Sequence, residues 1–380
     1  MNYKKKLFIV TTLHRADDHR IYHKEILSLK DNYDITLLCP QDKVPDNFHP
    51  PIKIDAFSGG ESKIERVRIL FHLIKKLSKI KESIVIFHDF ELIYIIFILR
   101  IFAENNIYIF DMHEDYPSQV LLTKKIPALM RFPLYFFLMM SEIGILPLFD
   151  WLFTADDFLK NKYSNLMKGR IAALFNFPQY KKIERQQDFK KPLSIVYAGG
   201  LYFERGLKEL VELASKLKEC KIHIFGRTFT TEENKYLEHS LKKQPNIIYH
   251  GYISYENLLK ILPEMDIGLV LMKPNKKFRR NISVKQFDYM ICGMPVIIKK
   301  GLISFIKDNE TGFNVSGVDE AVIRINNLTE DDIKRMGRNA VRAIKEKYNW
   351  EREYVKMKEG LKRVVILRGA SESQECRQVR

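Results

Sequence analysis

The chain is sparing with the residues that would fix its chemistry at a glance. It has 4 cysteines, Cys39, Cys220, Cys292 and Cys376. No two stand at a metal-ligand spacing and none forms C-x-x-C, so reduced thiols are expected rather than a zinc site or a redox pair. No apolar run reaches the ~20 residues of a spanning helix. "LIYIIFIL" (Leu92–Leu99) stops at Arg100, and "FPLYFFLMMS" (Phe132–Ser141) stops at Glu142. The opening "MNYKKKLFIVTTLHRADD" has an apolar stretch only from Leu7 to Val10 and no small-residue cleavage site, so it reads as a first strand and not a signal peptide. The G-x-G-x-x-G fingerprint is missing, which argues against a dinucleotide-dependent oxidoreductase. No zinc-finger, RRM, KH or helix-turn-helix signature is found, so nucleic acid is not the expected partner.

What the chain has is length, apolar residues and positive charge. Its 380 residues suffice for two domains, and a hydrophobic fraction of 46% supports real cores. The formal charge of +16 points to an anionic partner. Short apolar strands such as "KLFIVTTL", "YDITLLCP", "SIVIFHD" and "IYIFDMHE" alternate with helical patterns. That alternation predicts a parallel sheet covered on both faces. It pauses at the polar, proline-bounded "NFPQYKKIERQQDFKKP" and restarts at "LSIVYAGG". The expected organisation is an α/β chain with a doubly wound domain over 1–177, a linker over 178–192 and a second doubly wound domain over 193–338. A C-terminal helix over 339–366 and a disordered polar tail over 367–380 complete it.

Ligands of such sheets bind outside the carboxyl ends of the strands, and the unusual residues collect there. In "RRNISVKQFDYMICGMPVI", Ser283 and Gln286 have the spacing of a capping box, Ile282 and Phe287 that of a hydrophobic staple, and Gly293 a stop. Arg279, Arg280 and Lys285 crowd a helix end that already carries positive partial charge. A phosphate or diphosphate at the amides of Ser283 to Lys285 is the natural counterpart, with Val284 opening the helix. Asp288, one turn in, suits sugar hydroxyls. An isolated helix end of this kind is more often solvated, but two similar junctions shift the balance. Gly199 and Gly200 precede Arg205 and Gly206, and Gly226 precedes Arg227.

"VKQFDYMICGMPVI" resembles the K-x-F-E-Y-M-A-x-G-x-P-V-I motif of GT-B glycosyltransferases of family GT4. "YAGGLYFERGLKELVELA", "NIIYHGYISYENLLKILPEMDIGLVL" and "ETGFNV" are similar to that family's C-terminal domain, and "DMHEDYP" to its D-x-H-E segment, so the resemblance runs from about Lys6 to Leu361. It implies two Rossmann-like domains with an interdomain cleft, and a UDP- or GDP-sugar donor held by the C-terminal domain. It implies retention of anomeric configuration, with no metal and no cofactor. By the same resemblance Asp288 holds the ribose, Arg205 the diphosphate and His113 the donor sugar, while Trp350 docks the returning helix. The family's first Glu of E-x7-E is replaced by Arg280, and a cation after the strand glycine by Gly200. Arg227, Lys285 or Arg280 then compensates, or the chain is a degenerate nucleotide-sugar-binding subunit of a glycan assembly complex.

In the first domain His113 and Glu114 follow one strand and His88 and Asp89 another. With His14, Asp18 and Arg20 of the first loop, these form the expected acceptor side. The resemblance implies a glycan or polyprenyl-linked oligosaccharide acceptor and a cytoplasmic enzyme of surface-polysaccharide synthesis. "LLTKKIPALMRFPLYFFLMM" joins Lys124, Lys125 and Arg131 to an apolar segment. It reads equally as a buried helix with a basic entry loop or as a peripheral contact with an anionic membrane.

Overall fold

The computed structural model describes residues 4–60, 62–123, 126–181, 183, 192–275, 278–280 and 282–378, without the side chains of Lys63 and 370–378. Lys124, Lys125 and most of the expected linker, residues 184–191, lie outside the described residues.

The chain divides into two compact units, 1–176 with 350–380, and 177–349. The first is built on a parallel sheet of β1 (Lys5–Val10), β2 (Tyr33–Pro40), β3 (Lys53–Phe57), β4 (Ile84–Phe87), β5 (Ile107–Met112), β6 (Trp151–Thr154) and β7 (Ile171–Ala173). Its order is β3-β2-β1-β4-β5-β6-β7. β4 and β5 are buried at every position, as strands covered on both faces must be. One face packs under the helices Lys63–Leu77, Ile96–Phe102, Ala128–Ile145 and Asp157–Met167. The other packs under the Ile21–Ile26 turn and the C-terminal helix.

The second unit has β8 (Ser194–Ala198), β9 (Lys221–Phe225), β10 (Ile247–Gly251), β11 (Ile267–Val270), β12 (Val296–Lys299) and β13 (Gly312–Val315), all parallel, in the order β10-β9-β8-β11-β12-β13. The order reverses at β1 in the first sheet and at β8 in the second. These switch points place ligand crevices at the strand carboxyl ends.

Two expectations about the end of the chain are corrected. Residues 330–346 form one helix of the second unit, and the segment belonging to the first unit starts at Trp350. Asn349 separates the two, its amide donating to the carbonyls of Ile344 (2.9 Å) and Lys345 (2.8 Å). Trp350 is buried, with its indole N–H donating to Ser28 Oγ at 2.9 Å. The tail from residue 367 is helical to Gln378. Its Ala, Glu, Gln and Arg are helix formers without proline, and adding a residue to an anchored helix needs no new nucleus.

Candidate functional site

In the second unit β8 and β9 end in glycines whose backbone serves as a surface. Gly199 and Gly226 both have φ +146°, a region open essentially to glycine. A Cβ on Gly226 would stand 1.9 Å from the Gly199 carbonyl oxygen. A Cβ on Gly199 would stand 2.2 Å from Lys285 Cε and 2.7 Å from Nζ. The Lys285 side chain therefore lies along the bare backbone after β8. Beside it opens a cavity of ≈ 310 Å³, bordered by Gly199, Gly200, Gly226, Arg227, Lys285 and Asp288 on its polar side.

The same cavity has an aromatic side of Phe225, Phe229, Tyr252 and Tyr255. Phe229 stacks on Tyr202 at 4.4 Å, and the Arg227 guanidinium lies 5.2 Å from the Phe229 ring and 5.7 Å from that of Tyr252. Ser254 caps the helix Tyr255–Ile261 through the Asn257 N–H, which sets Tyr255 at its first position. The Tyr255 hydroxyl donates to Asp288 Oδ1 at 2.8 Å. Burial, with the nearby Asp288 charge, raises the phenol pKa, so Tyr255 remains a donor. Flat rings beside two cations and a carboxylate offer a planar base, an anion and a polyol their respective partners.

Lys285 is under electrostatic load. Burial depresses its ammonium pKa and the Arg205 charge adds to this, while Asp288 opposes it. An anion bound beside Lys285 would relieve that load.

Several expected donor residues sit elsewhere. Arg205 is half-buried against the rings of Tyr202 (5.3 Å) and Phe278 (5.8 Å) and does not border the cavity, although its charge reaches Lys285. Arg280 is exposed on the preceding turn, and Ser283 and Val284 do not border the cavity. The capping box is absent. The helix is Lys285–Ile291 with Val284 before it, and no side chain caps it. The buried Gln286 amide instead donates to the carbonyls of Ser283 (3.1 Å) and Ile303 (3.3 Å) and accepts from Phe305 N–H (2.9 Å). The N–H groups of Gln286 and Phe287 bond back to Ser283 and Val284. Those two N–H groups are therefore occupied, and of the expected anion ligands Lys285 and Arg227 are the cations that border the cavity.

In the first unit, β1, β4 and β5 end beside one another, and most of the acceptor-side candidates meet there. Asp89 Oδ2 accepts from Thr11 Oγ1 (2.7 Å) and from the N–H groups of Thr12 (2.6 Å) and Leu13 (3.2 Å), so it clamps the loop after β1. Asp18 Oδ1 accepts from the N–H groups of Arg20 and Ile21. His14 lies between the two acids, 3.4 Å from Asp18 Oδ2 and 3.4 Å from Asp89 Oδ1. Its pKa is raised, first by the Asp18 hydrogen bond.

Arg20, His88 and Asp89 depart from the expected acceptor surface, since all three are buried. Arg20 makes a two-pronged pair with Asp111 (2.8 and 2.9 Å from Nη2, 3.1 Å from Nε), another contact with Glu25 (3.1 Å), and donates to the Leu174 carbonyl (3.0 Å). His88 sits behind His113, its Nδ1 3.2 Å from His113 Nε2 and its Nε2 3.4 Å from Glu25 Oε2. His113 Nε2 also lies 3.2 Å from Asp111 Oδ2. Glu114 is exposed and bonds to Gln119. Burial pushes Glu25 up toward its neutral form, while the Arg20 charge holds Asp111 ionised against burial. His88, Asp111 and His113 stand close enough to share an ion. The guanidinium already bonded to Asp111 Oδ2 opposes a cation at that point.

Residues 195–356 match the family Glucosyltransferase 3-like, C-terminal domain. Glucosyltransferase 3 of Streptococcus parasanguinis is 26% identical over 180 residues, which are 43% of this chain and 52% of that protein. The chain thus spans about half the length of the curated relative it matches. Sucrose-phosphate synthase from Thermosynechococcus elongatus superposes with TM-score 0.72 at 15% identity, over 96% of this chain and 100% of that one. Anabaena HepE, solved with UDP-glucose, superposes with TM-score 0.65 at 11% identity, over 94% of this chain and 99% of that one. The fold class is GT-B, two Rossmann-like parallel-sheet domains.

The sequence reading missed Tyr252, Tyr255 and Phe229. The signal was present in "GYISYENLL", where two tyrosines flank a helix-capping serine directly after a strand.

Proposed function

We propose that the chain is a glycosyltransferase that moves a hexosyl group from a UDP-sugar to a glycan or polyprenyl-linked oligosaccharide, in the synthesis of a surface polysaccharide. The observation that carries this reading is the cavity at the ends of β8 and β9, where Lys285 lies along a glycine backbone, Arg227 lies over the aromatic rings and Asp288 faces Tyr255. The glucosyltransferase relative and the UDP-glucose complex of HepE support the donor class. In this reading the aromatic side takes the uracil and Asp288 the ribose hydroxyls. Lys285 and Arg227 take the diphosphate, with Arg205 adding charge from behind. When the anomeric bond breaks, the electron pair leaves with the β-phosphate. Cations already fixed there stabilise that charge without reorganisation. The leaving phosphate takes the acceptor proton, giving retention without a separate base. Within the first unit, Asp111 and His88 hold His113 at the end of β5. His14 and Asp18 serve the acceptor.

The test is release of UDP from a panel of UDP-hexoses, against GDP- and ADP-hexoses as controls. Activity with a UDP-hexose, lost in Lys285→Met and Asp288→Ala of unchanged fold, is the expected result. Binding without turnover would favour the second reading, a nucleotide-sugar-binding subunit, which the arginine at position 280 in place of the family's carboxylate supports. Full activity in both variants would refute the site.

A further inference from the structure

The helix Ala128–Ile145 is built inside out. A helix on the surface of a soluble domain turns its charges to water and its apolar stripe to the core. Here Leu129, Phe132, Phe136, Phe137, Met140 and Ile143 are all exposed, Leu129 by 89% and Phe132 by 69%. Their spacing puts them on one outward face, which carries no charge. The helix has two charged residues, Arg131 and Glu142, and both turn inward. Arg131 Nε donates to the Ile126 carbonyl at 2.8 Å. Glu142 is buried, bonded by the Tyr163 hydroxyl, with Lys162 Nζ 3.8 Å away.

The neighbouring helices on that face of the sheet continue the pattern. Ile64, Val67 and Phe71 of Lys63–Leu77 are exposed, as are Phe97, Ile101 and Phe102 of Ile96–Phe102. On Lys63–Leu77 the exposed apolar side chains alternate with exposed Arg68 and Lys75, and neither cation is in an ion pair among the described residues. Glu65 of the same helix is occupied by the capping box with Ser62. An apolar layer set with unpaired cations complements an anionic lipid surface, in both its acyl and its headgroup zones.

Contrary to the expectation from the apolar runs alone, the segment Ala128–Leu148 is by length and composition able to cross a bilayer. The topology opposes that. β5 precedes it and β6 follows it, and these strands pair in register, Ile109 with Trp151. A crossing would part them by ~30 Å and carry Glu142 into hydrocarbon.

We propose that this helical layer of the first unit is a docking surface for an anionic phospholipid bilayer. The Ala128–Ile145 helix lies in the interfacial plane, and Arg68 and Lys75 meet lipid headgroups. The inference rests on this face alone and not on the glycosyl-transfer reading. The experiment is flotation of the full chain with vesicles of phosphatidylcholine, alone or mixed with phosphatidylglycerol, without donor. The chain is expected to float with the mixed vesicles. Phe132→Ser/Phe136→Ser/Met140→Ser should weaken the apparent affinity by on the order of 100-fold, and Arg68→Glu/Lys75→Glu should abolish the preference for phosphatidylglycerol. Phe136→Trp should shift its emission to the blue on adding mixed vesicles, a readout independent of whether the triple variant folds. Failure of the parent chain to float, equal flotation of the well-folded triple variant, or an unchanged Phe136→Trp emission would overturn the proposal. So would light scattering showing a dimer that the triple variant dissolves, in a parent chain that ignores lipid. That result would assign the face to a second copy.

Discussion

The donor site can be tested through a residue that never touches the donor by its own side chain. In Gly199→Ala the new Cβ would meet Lys285 Cε at 2.2 Å and Nζ at 2.7 Å. These atoms end a flexible side chain, so the fold survives by swinging Lys285 away. The φ of +146° adds a backbone strain of about 1–3 kcal/mol, seen as a lower Tm. The loss in function is separate. In the proposed donor complex a displaced Lys285 would forfeit a charge-assisted hydrogen bond to the diphosphate, worth about 1.5–3 kcal/mol, or roughly 10- to 150-fold in affinity. Calorimetry with a UDP-hexose should show that loss in Gly199→Ala and a similar one in Lys285→Met, which leaves the glycine alone. The decisive sample is the double variant. If the alanine acts through Lys285, the double variant binds no worse than either single one. Additive losses would refute the claim that Gly199 makes room for Lys285. Gly226→Ala is the harsher control, because its Cβ would strike the Gly199 carbonyl, a backbone atom, at 1.9 Å. It should weaken donor binding more than Gly199→Ala does.

Three further outcomes are expected. Glu142 has its pKa pushed up to about 7 by burial, with Tyr163 and Lys162 opposing. Because the native state holds this proton more tightly than the unfolded chain, the contribution of Glu142 to stability is fully present below about pH 4.5 and is lost as pH rises through about 7, by up to about 3 kcal/mol. Urea unfolding of Glu142→Gln at about pH 5 and about pH 8 should show a variant that escapes this loss, and an unchanged slope would contradict the assignment. Tyr255→Phe removes the hydrogen bond to Asp288 Oδ1 and should raise the KM for donor about fivefold, with kcat nearly unchanged. Arg20→Met leaves Asp111 and Glu25 as buried carboxyl groups without their cation, so chemical denaturation should show a loss of about 3–5 kcal/mol.

The two-sheet architecture was legible because its central strands announce themselves. "IVIF" and "IYIFDM" have no other use than burial on both faces, and each became a central strand. The edges were not legible. β3, with the sequence KIDAF, is half-exposed along most of its length, and β7 has only three residues. Neither shows the continuous apolar run that marks its neighbours. β6 was hidden for the opposite reason. Its four buried residues follow an apolar helix and a short 3-10 turn, so composition alone draws no boundary.

At the candidate sites the dividing line is sequence distance. The glycines after β8 and β9 stood out because each junction is local. The capping box failed because Gln286 found partners at Ile303 and Phe305, which no local motif foresees. Arg20 shows the same limit more sharply. Arg20 was expected on the acceptor side, and three charges in six residues, Arg20, Lys24 and Glu25, are normally solvated. Yet all three are buried. Arg20 reaches Asp111 and the Leu174 carbonyl, Lys24 reaches the Asn176 carbonyl at 3.3 Å, and Trp350 packs into the same core from the returning helix. The polar partners come from 91, 152 and 154 residues away. A buried charge persists only when such partners satisfy it. The acidic end of β5 and the return of the last helix therefore had to be placed before the first loop could be read. Once they are placed, Arg20 and His88 stop being acceptor contacts and become the support that fixes His113.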